Sequence, residues 1–82
     1  MNRICQHEVI VKLDKGYAPA WFIWREQSYR VAEVQERWRL LGAWWDGDGE
    51  YTFFRVRTAE GGFYELCYNH HNRTWKLSVV QD

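Results

Sequence analysis

Proline is almost missing from this sequence, with Pro19 the single example, and no apolar run approaches the length of a bilayer span. One proline in 82 residues, of which 46% are hydrophobic, speaks against a disordered or linker-like chain. The lack of a long apolar run excludes a membrane-spanning helix. Net charge is absent as well. Eleven basic residues balance 11 acidic ones, so the broad positive field of a strongly basic nucleic-acid binder is missing. Met1 to His7 shows no basic stretch followed by an apolar one, which predicts a cytoplasmic protein. In that setting the two cysteines, Cys5 and Cys67, are expected to be reduced thiols rather than a disulfide.

Catalytic patterns are also lacking. Neither glycine pattern that cradles nucleotide phosphates occurs, nor does His-Glu-x-x-His. A nucleophile with a base would have to come from Cys67 and the nearby His70 and His71, and nothing supplies an oxyanion hole beside them. Cys5, His7 and Cys67 with His70 or His71 are the ligand types zinc prefers, but Cys-x-His is not a standard knuckle. Asp46-Gly47-Asp48-Gly49-Glu50 falls short of a twelve-residue calcium loop and reads as a solvated turn. The expectation is a non-enzyme with no catalytic residues, metal site or cofactor.

What the chain does have is aromatic side chains, 18% of the total, including six tryptophans. Its length suits one hydrophobic core and so a single domain spanning 1–82. Three alternating runs, Tyr51 to Thr58, Phe63 to Asn69 and Thr74 to Val80, predict a C-terminal three-stranded meander. A three-residue loop at Glu60-Gly61-Gly62 would set Val56 opposite Leu66, Phe54 opposite Tyr68 and Arg57 opposite Glu65. A four-residue loop, His70 to Arg73, would set Tyr68 opposite Trp75, Leu66 opposite Leu77 and Tyr64 opposite Val79. The inner face then carries Phe54, Val56, Tyr64, Leu66, Tyr68, Trp75, Leu77 and Val79. Arg55, Arg57, Glu65, Cys67, Lys76 and Ser78 share the other face, and a one-residue slip would bury them.

The N-terminal half must cover that inner face. Val9, Val11 and Leu13 suit a first strand, and Phe22 and Trp24 precede a tight Glu26-Gln27 turn into a strand with Tyr29 and Val31. The parity changes before Val34, Trp38 and Leu40, as a bulge at Ala32-Glu33 would require. The same segment, Arg30 to Leu41, also has helical spacing at Val31, Val34, Trp38 and Leu41, so a helix stays open there. The expected fold is all-β: a small curved antiparallel sheet, or a partly open SH3-like barrel, of five to six strands.

Once the inner face is assigned, Trp21, Ile23, Trp44, Phe53 and Phe63 have no seat. Such residues either tuck under loops or cluster as a surface for a protein partner. The alternative is a single-stranded nucleic-acid-binding small β-barrel, in which Arg55, Arg57 and Lys76 meet phosphates while aromatics stack on bases. An open sheet also leaves an edge strand able to pair with a second copy.

The order Phe22-x-Trp24-Arg25, Tyr29-x-Val31, Val34, Trp38, Trp44-Trp45, Phe53-Phe54-Arg55-Val56, Gly62-x-Tyr64-Glu65-Leu66 and Trp75-x-Leu77 resembles a bacterial domain family of unknown function. From the tryptophan pair onward it is also similar to the segment that closes the inactive Y-family polymerase homologue of the bacterial mutasome. The resemblance runs from Pro19 to Asp82 and implies an interaction module associated with DNA-damage tolerance. It departs at Glu26, where the family usually has glycine, and at Tyr51, which stands where a basic residue often precedes the second aromatic run.

Overall fold

Period-two patterning makes each strand of the meander a ribbon with one face to hide, and the rest of the chain folds to hide it. The computed structural model describes residues 7–41 and 49–80. Its strands are β1 (His7–Glu8), β2 (Ile10–Leu13), β3 (Pro19–Trp24), β4 (Gln27–Leu41), β5 (Glu50–Thr58), β6 (Phe63–Asn69) and β7 (Thr74–Val79). All neighbours are antiparallel, in the order β1-β7-β6-β5-β4-β3-β2. Both ends of that order belong to one stretch of chain, because only Val9 separates β1 from β2. The Val9 N–H donates to the Trp75 carbonyl at 3.3 Å, so the sheet curls until the first strand spans from β7 to β3. The fold is the expected all-β curled sheet. It has seven strand segments, more than five or six, since the break at Val9 divides the first strand.

The inner face holds the core. Phe22, Val56, Leu66 and Leu77 are 0% exposed and Phe54 is 4% exposed. Val11, Trp24, Tyr29, Val31, Val34, Tyr64 and Trp75 pack around them. Phe22 from the β2–β3 hairpin is the plug that the N-terminal half inserts into the meander's apolar face. Burying a side chain of that size stabilises by about 1.5–3 kcal/mol.

The second hairpin has the expected register, with Tyr68 opposite Trp75, Leu66 opposite Leu77 and Tyr64 opposite Val79. Asn69 sets its turn, accepting from the His71 N–H at 2.8 Å through Oδ1. The first hairpin differs from expectation by two residues. Phe54 faces Leu66, Val56 faces Tyr64 and Arg55 faces Glu65. Its three-residue loop is Ala59-Glu60-Gly61, closed by the Thr58 N–H donating to the Gly62 carbonyl at 2.9 Å. Gly61 takes the left-handed conformation, with φ 97°. Gly62 is needed for room, because a Cβ there would lie 2.9 Å from the Tyr64 ring.

Arg30 to Leu41 is strand, not helix, as the continuous pairing of β4 shows. The expected irregularity at Ala32 is present, between the Val31–Thr58 and Glu33–Arg57 pairs. A second one, at Gln35 between the Val34–Val56 and Glu36–Arg55 pairs, reverses parity again. Trp38 and Leu40 therefore register with Phe53 and Tyr51 on the outer face, contrary to their expected place beside Val34.

The turn into β4 is Arg25-Glu26, one residue earlier than expected, because Trp24 pairs with Gln27. Both turn residues have positive φ, 54° and 65°, the geometry that favours Asn-Gly. Replacing Arg25-Glu26 by Asn-Gly is expected to raise stability by about 1 kcal/mol in a denaturant titration, despite loss of the Arg25 contact over the Trp24 ring.

Candidate functional site

Because Phe22 points inward, its neighbours Trp21 and Ile23 point outward. Lys12, Trp21 and Arg30 form one row across β2, β3 and β4, and Ile10, Ile23 and Ser28 form the next. On this hairpin Ile10 is 59% exposed, Leu13 45%, Tyr17 78% and Trp21 37%. Asp14 Oδ1 ties the turn together, accepting from the Gly16 N–H at 2.8 Å and the Ala18 N–H at 3.0 Å. Beside it a shallow groove of about 350 Å³ runs between Pro19, Trp21 and the bulged part of β4 at Ala32.

Phe53 and Phe63 do not join Trp21 and Ile23. Phe53 is buried on the outer face of β5 with Tyr51 and Cys67, and stacks on Trp38 at 5.3 Å between ring centroids. The sheet is thus not one-sided at this end: its outer side carries a small second core. Phe63 is half-buried opposite Arg57. Trp44 lies outside the described residues, as do Trp45, Cys5 and the Asp46-Gly47-Asp48 part of the acidic loop.

The cations proposed for phosphate contact already hold carboxylates. Arg55 donates to Glu65 at 3.1 Å and Arg57 to Glu33 at 3.3 Å. Lys76 stands between Cys67 and Glu8 in register. The exposed Arg57–Glu33 pair contributes at most about 1 kcal/mol and the Arg55–Glu65 pair is part-buried, and a phosphate would have to displace both carboxylates. Cys67 faces Phe53 and Lys76 on the outer side, whereas His70 Nε2 hydrogen-bonds Thr52 Oγ1 at 2.7 Å on the inner side. The thiol and that imidazole lie on opposite faces of the sheet. Among the described residues, no group of three or more His, Cys, Asp or Glu converges on a metal position, and no helix is long and apolar enough to cross a membrane.

Two arginines escaped the reading of the sequence. The second irregularity in β4 turns Arg37 and Arg39 toward the inner face, opposite Phe54 and Thr52. The Arg37 guanidinium sits 5.7 Å from the Phe54 ring centre, and Arg39 is ion-paired with Glu50. On the same face Tyr68, His70 and Trp75 gather from β6, the following turn and β7, with ring centroids 4.7 Å apart for Tyr68–His70 and 4.9 Å for Tyr68–Trp75. The Arg-x-Arg spacing was visible, but its face depends on a bulge that no residue type announces. At the other end of the core, burial raises the Tyr64 hydroxyl above its ordinary value of 10.0, helped by Tyr29 and Glu60.

A family model described as "Domain of unknown function (DUF6504)" matches residues 2–82. The chain belongs to this family. The match covers the whole described fold of this DUF6504 domain, from β1 through β7. No curated protein and no solved structure matches it.

Proposed function

We propose that this domain is a non-catalytic protein-interaction module of the cytoplasm and that its contact surface is the outward side of the β2–β3 hairpin. The observation that supports this is the exposure of Ile10 and Trp21, which share the outward face of that hairpin with Ile23, and of Tyr17 at its turn. A folded domain gains nothing from displaying large apolar side chains side by side, whereas a partner that covers them gains their burial. An association with DNA-damage tolerance is supported by the resemblance, from Trp44 onward, to the tail of the inactive polymerase homologue. That resemblance makes proteins of such an assembly the partners to try first.

The full chain with a photo-crosslinking phenylalanine analogue at Tyr17 is expected to give a discrete adduct in cells. The same analogue at Glu60, exposed in a different loop, is expected to give none. Ile10→Ser with Trp21→Ser should abolish the adduct while the fold persists by circular dichroism. Identical adducts from both positions, or survival in the double variant, would overturn the reading. The engagement of Arg55 and Arg57 with carboxylates argues against the nucleic-acid alternative. Labelled single-stranded DNA is accordingly expected to stay unbound at low salt. Binding that weakens by about a thousandfold between 50 and 200 mM salt would favour that alternative instead.

A further inference from the structure

We propose that the edge of β4 from Glu36 to Leu41 receives an extended acidic segment of a partner protein as an added strand. This rests on the protein-interaction reading but uses a surface apart from the β2–β3 hairpin. Strand β4 is longer than either neighbour can cover. It pairs with β3 through Gln27–Arg30 and with β5 from Val31 to Leu41. Beyond Val31, no strand among the described residues pairs with its β3 side. Alternate residues there direct backbone N–H and C=O groups away from β5, an arrangement that invites another strand.

Natural edges are usually blunted by bulges, prolines or lysines. The irregularities at Ala32 and Gln35 blunt the first part of this edge. From Glu36 to Leu41 the register is unbroken, with neither proline nor lysine, and Leu40 and Leu41 are 39% and 70% exposed. That six-residue stretch is an intact template.

The side chains select the occupant. Arg37, Arg39 and Leu41 lie on the inner face, and Glu36, Trp38 and Leu40 on the outer. A second copy of the chain is disfavoured. The two twofold antiparallel registers of greatest overlap set Arg37 against Arg39, or Arg39 against itself, and like charges directly opposite repel. Arg37 stacks over Phe54 and has no carboxylate partner among the described residues. A strand with carboxylates at alternate positions would set one opposite Arg37 and another opposite Arg39, whose guanidinium it would share with Glu50, with apolar residues between them beside Trp38 and Leu40. Backbone bonds would hold such a strand while the arginines choose it.

The test uses the full chain with blocked peptides alternating Glu and Val, or Lys and Val, and a Glu/Val peptide N-methylated on alternate residues. The Glu/Val peptide is expected to bind saturably and to slow amide exchange within Glu36–Leu41. The Lys/Val and N-methylated peptides should bind at least about tenfold more weakly. Arg37→Glu with Arg39→Glu should reverse the preference between the two charges. Wild-type protein that binds all three peptides alike, or binds none, overturns the proposal even if the variant misfolds. A concentration-dependent dimer of the wild-type chain with protected Glu36–Leu41 amides also overturns it, in favour of a second copy. If the adduct at Tyr17 forms while the peptides fail, the interaction reading stands without this edge.

Discussion

Phe22→Ala is expected to lower unfolding stability by about 3–5 kcal/mol, the usual cost of an aromatic deleted from a core that closes only partly around the gap. Phe22 has no exposed surface. Its ring stacks on Tyr29 at 5.1 Å and meets the edge of Tyr64 at 5.4 Å, so one side chain joins β3, β4 and β6. Stability of about 0.05–0.15 kcal/mol per residue puts a chain of 82 residues at about 4–12 kcal/mol, so this one change removes a large share. Phe22→Leu keeps most of the volume and should lose no more than about 1.5 kcal/mol. Equilibrium urea unfolding followed by tryptophan fluorescence measures both. A loss below about 1 kcal/mol for the alanine variant would mean that the hairpin does not close the core.

That closure was legible because Phe22 and Trp24 keep strand parity with Tyr29 and Val31, and the meander's alternation left a face needing cover. The second hairpin was legible for the same reason, reinforced by a loop whose length agrees with both strands. The first hairpin slipped by two residues because adjacent glycines, Gly61 and Gly62, offer two places for the left-handed residue. Only the space beside the Tyr64 ring separates them, and that is a tertiary fact. The outward face of Trp38 and the inward faces of Arg37 and Arg39 were hidden by the irregularity at Gln35, which carries no glycine or proline to mark it. In the candidate site, Trp21 and Ile23 could be read as outward because they flank Phe22. The pairing of Arg57 with Glu33 could not, since the two are brought together by strands 24 residues apart.

Phe53 marks the same limit, and its removal carries the other large effect. Pattern alone left it as a contact residue for a partner, but it is 5% exposed, against Cys67 at 3% and Tyr51 at 5%. Its ring lies nearly parallel to that of Trp38, at an interplanar angle of 5°. Phe53→Ala should therefore cost about 3 kcal/mol, whereas an exposed contact residue would change stability by no more than about 0.5 kcal/mol. Trp38→Ala should cost less, because Trp38 is only half-buried. In a double-mutant cycle the two should couple by about 0.5–1.5 kcal/mol through the stacked rings. Additive losses would mean that the rings do not stack in solution. An unchanged denaturation midpoint for Phe53→Ala would return Phe53 to the exposed surface and remove the second core from the outer side of the sheet.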